Sequence, residues 1–542
     1  MNDYGRWLAE AIDRIWIRVL LWVCVIGIMC GQWYHARCVS FVDESRGDGH
    51  SGHVQIDFGG QWLFGRSLLT GHGKELYHRS VYWSITYECF PRDRESPTQK
   101  GHDDEGLVNC FMGDDPPRIS STVCAAMLPI FSDSPLSAIL NLSITNDQFS
   151  TKPLTEFEYP IDIGGPLYPP IHAFIMAPLA ALEPKQAMHV WQICLSLFAL
   201  IAGLGVSYLS RRKIWWCAAV LIILGFPAYR SAIDLGQNSS LTLMIAIWGW
   251  ALNVRGRPIL GGIVWGMLAY KPVWGLTFFI AAMALRQWRF GLSMCITGLM
   301  LVIFTLPFVG VQSWKDWLHV GGLASKIYDV DHNWVFLSRD LFGLPRRMIL
   351  DYDIVREKRE TNFAKIAAWV VWFIAVELCI RIWMLRRKRH ELPLVGSFPA
   401  FLFLGSFLCC YHFMYYDSLM ASFGIFVLLA ESPHRFFNPA MGRLEVERST
   451  TKSSGVVLVN SVVLTLLAVL IIHENMIQGL NVQATMAVGY LAHDLQLPNG
   501  ETKHVVPTMY LESGVRYPWD TIVIIVIWVW CAGLAYRDDD RE

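Results

Sequence analysis

Apolar runs long enough to cross a bilayer recur along the whole chain, separated by short polar or basic stretches. A hydrocarbon core of about 30 Å takes about 20 apolar helical residues. The first run extends from Ile15 to about Trp33; it is long for a signal peptide and no A-x-A cleavage site follows, so it is read as a retained first span. The next runs are Gln186–Leu209, Ile214–Ile233, Ser239–Asn253, Pro258–Tyr270, Val273–Leu285 and Phe290–Gly310. Phe363–Leu385, Leu394–His412, Tyr415–Ala430, Gly455–Ile472 and Trp519–Tyr536 complete the series. The pattern predicts an all-α polytopic membrane protein of about 12 spans. Pro258–Tyr270 and Val273–Leu285 are too short to cross comfortably and meet at Lys271-Pro272, which predicts a hairpin of short helices. Pro170–Leu182 reads as a short re-entrant or interfacial helix.

The basic residues orient these spans. Arg6, Arg14 and Arg18 precede the first; Arg211, Arg212 and Lys213 follow the second. Arg255, Arg257, Arg286 and Arg289 flank the hairpin, and Arg386, Arg387, Lys388 and Arg389 follow Phe363–Leu385. Threading puts all of these, with Arg435, Arg443, Arg448, Lys452, Arg537 and Arg541, on one side, the cytoplasm, with both termini. The organisation expected is a cytoplasmic N-terminus and first span (1–35), a large outer loop (36–167) and a helix module (168–310). An outer loop with interfacial helices (311–362) and a C-terminal helix module (363–542) with an outer loop at 473–518 follow.

Composition supports this class. The 542 residues are 53% hydrophobic and 17% charged, below the roughly 25% usual in soluble domains. The net charge of −1 gives a nucleic-acid partner no support. The 23 Trp fit rings anchored at membrane interfaces. No solenoid repeat and no Walker A loop is present. Of the 13 cysteines, Cys38, Cys89, Cys110 and Cys124 fall in the first outer region, where an oxidising compartment allows disulfides. Four cysteines allow three pairings; Cys89–Cys110, closing an acidic loop, is the favoured one. Zinc is not expected, because no Cys-x-x-Cys occurs.

Most of the polar residues with chemical potential fall on the outer side. Asp57 stands just before an amphipathic helix of about Phe58–Thr70, placed either to take a proton from an incoming hydroxyl or to cap that helix. Tyr168-Pro169-Pro170 sets a sharp start to the next helix. His172 and His189, lone histidines on apolar helices, read as packing residues. Arg230, with Asp234 and Gln237 near it, is either a phosphate clamp or a snorkelling interfacial arginine. Lys271 sits between two apolar stretches; a lysine at membrane depth is costly and points to function, with an anion or an acidic side chain as partner. Asp331, His332, Asn333, Arg339, His412 and Asp417 lie in later outer segments. Each alone fits a structural role; what they share is a face. No ligand spacing requires a metal, so no cofactor is predicted, although outer Asp and His residues are of a type that binds divalent ions.

Four segments, IDFGGQWLFGRSLLTGHGKELY, YPPIHAFIMAPLAALEPKQAMHVWQ, DLGQNSSLTLMIAIWGWAL and GRPILGGIVWGMLAYKPVWGLTFFIAAMALRQWR, resemble glycosyltransferase family 87 in the same order. The likeness runs from about Ile56 to Phe342 and, more faintly, through His412–Asp417. It implies a GT-C-like helix bundle similar to the polyprenol-phosphate-mannose-dependent mannosyltransferases, in the inner (plasma) membrane. It implies a polyprenyl-phosphate sugar as donor, a glycan or glycolipid as acceptor, an outward-facing site and inversion at the anomeric carbon. Asp57 matches the position of the base, Gln237 the Gly-Gln turn and Lys271 the Lys-Pro. His332-Asn333 matches an Asn-rich segment and His412 a late turn, without the usual Trp-x-His-Tyr. Lys271 and Arg230 are then the donor-phosphate residues; Gln237, Tyr168, His332, Asn333, His412 and Asp417 are the substrate contacts. Two departures bear on the acceptor: the long stretch between Tyr77 and Tyr168, and the loop His473–Pro518.

Two other classes compete. A secondary transporter would show inverted repeats and broken helices at the midplane; no matching second half is visible. A membrane scaffold would tolerate loss of Asp57.

Overall fold

The computed structural model describes residues 15–40, 57–78, 167–330, 338–349, 351–352, 358–359, 362–388, 392–410, 414–431, 493–496, 502–505 and 519–537, with positions 81, 85, 463 and 465–467. The regular structure among these residues is helical apart from two short antiparallel ladders. β1 (Asp351–Tyr352) pairs β2 (Lys358–Arg359), and β3 (His493–Gln496) pairs β4 (Thr502–Val505). Both ladders lie in stretches read as polar outer loops, and the bundle itself is all-α as expected. Most of the span expected at Gly455–Ile472 and most of the first outer loop lie outside the described residues, as do Cys89, Cys110 and Cys124.

The helices follow the apolar runs. They are α1 (Ile15–Ser40), α2 (Asp57–Leu69), α3 (Ile171–Ala180), α4 (Pro184–Leu209), α5 (Trp216–Gly225), α6 (Pro227–Leu235) and α7 (Ser239–Val254). After these come α8 (Pro258–Gly266), α9 (Pro272–Ala284), α10 (Trp288–Val330), α11 (Gly343–Ile349), α12 (Asn362–Arg386), α13 (Ser397–Cys409), α14 (Ala421–Leu429) and α15 (Trp519–Arg537). Among the described residues α1, α4, α10 and α12 contain stretches long and apolar enough to cross a membrane by themselves. The rest of the apolar surface is carried by shorter helices and breaks.

Three breaks have identifiable causes. The run expected as one span at Ile214–Ile233 is two helices, α5 and α6, bent by 71°. Pro227 opens α6 and Phe226 before it is extended (φ −68°, ψ 128°), as a residue preceding proline prefers. α10 turns at Gly310, whose φ of 69° and ψ of 170° no side-chain-bearing residue adopts readily. The third break is the Lys271-Pro272 hairpin. α8 continues as a 3-10 turn, Met267–Tyr270, and Lys271 (φ −136°, ψ 71°) then reverses the chain into α9. Trp265 and Phe278 on the two arms come within 5.4 Å. At about 1.5 Å per residue each arm is about 20 Å long.

Glycines set how closely the hairpin packs. A Cβ on Gly262 would fall 2.3 Å from the Phe290 carbonyl, and one on Gly266 2.4 Å from Thr297 Cβ, so α8 lies backbone-to-backbone on α10. Trp250, Trp265, Phe278, Phe290, Phe403 and Phe423 fill the space among α7, α8, α9, α10, α13 and α14, with Trp265–Phe290 and Phe403–Phe423 both at 4.7 Å.

The bundle has two chemically different ends. At one, Arg286 donates to the Arg387 carbonyl, Arg386 Nε to the Ala535 carbonyl at 2.8 Å, and Arg255 lies 4.7 Å over Tyr208. Trp22 packs on Trp215 and Trp216 there, bringing in the first half of α1. The other end gathers the far end of α1, the start of α2, the α6–α7 turn, the hairpin apex and the start of α15.

Candidate functional site

The α6–α7 turn organises this second end. α6 closes on Gly236, which is left-handed (φ 68°, ψ 29°), and Gln237 N–H donates back to the Ala232 carbonyl at 2.8 Å. Glycine is required twice over here, for the φ and for space. A Cβ at 236 would lie 2.8 Å from Met188 Sδ and 2.9 Å from Phe58 Cβ. Phe58 is fully buried in the first turn of α2, so that helix begins against the turn. Asp57 is the first residue of α2, which is where the structure places it.

The Gly236 carbonyl accepts from Trp191 Nε1 at 2.8 Å and from Gln61 Nε2 at 3.1 Å. Because that carbonyl only accepts, the Gln61 amide nitrogen faces it, and Gln61 Oε1 faces His172 Nε2 at 3.1 Å. His172 must then carry its proton on Nε2. It is fully buried and stacked between Tyr168 (4.1 Å) and Tyr270 (5.8 Å). Tyr168 donates its phenolic proton to Gln237 Oε1 at 2.9 Å, and its carbonyl accepts from Tyr77 at 2.6 Å. Thr242 donates to the Asn238 carbonyl, which leaves the Tyr270 hydroxyl as donor in the 2.6 Å bond to Thr242. The packing role expected for His172 is thus joined by a hydrogen-bonding one.

Lys271, at the hairpin apex, points its ammonium at Asp417 Oδ1 (2.6 Å) and Asn238 Oδ1 (3.3 Å). Asp417 lies in the 3-10 turn Tyr415–Met420 and also accepts from Ser239 Oγ at 3.2 Å. The two charged side chains are only 12% and 6% exposed, so this is an ion pair withdrawn from water. Tyr416 places its ring 5.7 Å from the ammonium. A lysine expected to meet an anion or an acidic side chain meets the second.

Arg230 belongs to a separate cluster. Its Nη2 donates to His35 Nε2 at 2.6 Å, which puts the His35 proton on Nδ1, 3.2 Å from Asp234 Oδ1. Arg230 Nε lies 3.8 Å from Asp234 Oδ2. This cluster ties α6 to the end of α1. Arg339 pairs with Asp520 at 2.6 Å, joining the start of α15 to the same end of the bundle. His332, Asn333 and His412 lie outside the described residues.

Tyr168, Gln237, Lys271 and Asp417 are therefore brought together around one turn that also abuts the start of α2. Sequence reading passed over Gln61, Asn238, Ser239, Thr242 and Tyr270. The signal for Asn238 and Ser239 was the small polar run Gln237-Asn238-Ser239-Ser240 set directly before an apolar helix.

Residues 167–410 match the model of glycosyltransferase family 87. No curated protein and no solved structure gives a match. The matched stretch holds Tyr168, His172, Arg230, Gln237, Asn238 and Lys271, while α2 and Asp417 lie outside it. Over residues 167–410, under half of the chain, the sequence is thus similar to glycosyltransferase family 87, and the helices of that stretch are those of a membrane protein.

Proposed function

We propose that this protein moves a hexose, mannose or a similar sugar, from a polyprenyl-phosphate donor to a glycan or glycolipid acceptor on the extracytoplasmic side, with inversion. The observation that carries the reading is the meeting of Lys271 and the start of α2 at one turn: Lys271 bonds Asn238, and Phe58 lies against Gly236 two residues earlier. A cation and the helix that begins with Asp57 are thus adjacent, at the end of the bundle away from Arg286, Arg386 and Arg387.

In this reading the polyprenyl tail stays in lipid and its phosphate meets Lys271, while Arg230, held in the His35–Asp234 cluster, adds positive charge at the same end. As the anomeric C–O bond breaks, charge builds on the leaving phosphate, and a fixed ammonium stabilises that charge more than it stabilises the donor. Asp57 takes the acceptor hydroxyl proton while that oxygen attacks from the opposite face. General-base help of this kind is worth roughly 10²–10⁴-fold. The hairpin arms, about 20 Å each against a core of about 30 Å, support a Lys271 recessed below the outer surface, where a lipid-borne phosphate reaches it from the side. The active face, about 12 spans, cytoplasmic termini and a plasma-membrane location belong to the same reading. A transporter would need its polar groups at the midplane of two repeated halves; here the network gathers at one end.

The test is to incubate the purified protein with a panel of polyprenyl-phosphate sugars and an acceptor extract, and to follow release of polyprenyl phosphate. Consumption of one donor, dependent on Lys271, is the expected result. If no donor is consumed, or Lys271→Met consumes it at the wild-type rate, the reading is wrong.

A further inference from the structure

We propose that Asn238 is a phosphate-binding residue: with Lys271 and the N-terminus of α7 it forms a subsite for phosphate oxygens, and Asp417 holds the anion's place when no ligand is bound. The inference rests on the lipid-phosphate reading above and extends it to residues that reading does not use.

The orientation of the Asn238 amide follows from chemistry. An ammonium only donates, so the atom 3.3 Å from Lys271 Nζ is the amide oxygen, and Nδ2 faces away. Asn238 is fully buried, and Nδ2 has no hydrogen-bond partner among the described residues. Asparagine is favoured at a helix N-cap because its side-chain oxygen accepts from the first backbone N–H groups. Asn238 occupies that position on α7 and makes no such bond, its oxygen being directed to Lys271. Ser240 Oγ, two residues on, is also buried without a partner among the described residues. Buried donors left unmet are rare and costly in a folded chain.

An anion already sits beside them. The Asp417 carboxylate uses one oxygen, Oδ1, for both Lys271 and Ser239, at the end of α7 where the helix dipole favours negative charge. A flat carboxylate leaves Asn238 Nδ2 and Ser240 Oγ unserved. A tetrahedral phosphate has more oxygens, directed more widely, and can serve them too. A phosphodiester carries one negative charge, so its exchange with Asp417 at Lys271 leaves the net charge of the site unchanged. The stand-in keeps the buried ammonium paired between turnovers, when a bare one would be unfavourable.

The test is binding to the full-length protein in nanodiscs, with a short-chain polyprenyl phosphate, the matching polyprenol and inorganic phosphate as probes. Asn238→Asp is the decisive variant. It is nearly isosteric and keeps an acceptor for Lys271, but replaces the unmet donor with an acceptor. It should weaken polyprenyl phosphate binding by about 10- to 100-fold, the scale of a hydrogen bond to a charged group, without changing polyprenol binding. Asp417→Asn should tighten polyprenyl phosphate binding, and it carries the test if Asn238→Asp does not fold. Competition by inorganic phosphate against the wild type marks a free-phosphate site, and no competition marks a lipid source; either supports the subsite. If Asn238→Asp binds polyprenyl phosphate like the wild type while Lys271→Met does not, Asn238 merely holds the lysine; this proposal then fails and the donor reading stands. Wild-type binding that does not distinguish phosphate from alcohol removes both. If Asp417→Asn binds no more tightly than the wild type, the stand-in role is wrong.

Discussion

Lys271 Nζ and Asp417 Oδ1 lie 2.6 Å apart across 146 positions of sequence, and each is largely withdrawn from solvent. The pair clamps the hairpin apex to the 3-10 turn before α14. Removing one partner from a buried pair strands the other charge, at about 3–5 kcal/mol. Lys271→Met should therefore lower the thermal midpoint in detergent markedly, and Lys271→Met/Asp417→Leu should recover most of that loss. The double variant should still be inactive, because the pair is replaced and the cation is gone. Full stability in the single variant would mean that the pair contributes little to the fold. Measurable transfer by the double variant would detach Lys271 from the chemistry.

Asp57→Asn should abolish transfer, losing roughly 10²–10⁴-fold if the carboxylate is the base, while insertion and melting stay as in the wild type. Asn starts a helix as well as Asp does, so a structural role at the head of α2 survives the change. Measuring turnover and thermal midpoint on the same preparation separates the two roles. A fully active Asn variant leaves Asp57 as a helix start only.

Much of this architecture was readable in the chain because it depends on local properties. Apolar length marked α1, α4 and α12, and the Lys271-Pro272 dipeptide marked the hairpin. Pro227 carried an equally local signal, but the apolar run continued across it, so α5 and α6 read as one span. Pairings between distant segments left no such mark. Nothing near His172 announces that Gln61 fixes its tautomer, or that Tyr168 and Tyr270 enclose it. Arg230 was readable as a cation near the surface, whereas its partner His35 sits 195 positions away on α1. The polar residues were legible one at a time; which of them touch was not.

Gly236→Ala should be disproportionately harmful for a one-carbon change. The left-handed backbone disfavours any Cβ, at roughly 1 kcal/mol or more. The added carbon also meets Met188 Sδ and Phe58 Cβ at 2.8 and 2.9 Å. The strain is relieved by moving the first turn of α2, and with it Asp57, away from Asn238 and Lys271. The expected outcome is a modest drop in thermal midpoint with at least a roughly tenfold drop in kcat, since small misplacements of reacting groups carry large kinetic penalties. Loss of stability with unchanged kcat would show that the turn supports the fold without positioning α2 for chemistry.

The two ends of the bundle make a prediction about sidedness. Arg255, Arg286, Arg386 and Arg387 meet at one end, and α15 arrives there with its C-terminus, through the Ala535 carbonyl. Retention of Lys and Arg on the cytoplasmic side then requires α15 to run inward from Asp520, which Arg339 holds at the opposite end. A fluorescent protein fused after Glu542 should fold and fluoresce, since it would remain in the cytoplasm. A periplasmic phosphatase fused there should be inactive, and the same phosphatase inserted in the 473–518 loop should be active. The reverse pattern would put Lys271 and the α6–α7 turn on the cytoplasmic face. A lipid-linked donor presented from outside could not then reach them, and the proposed direction of transfer would be excluded.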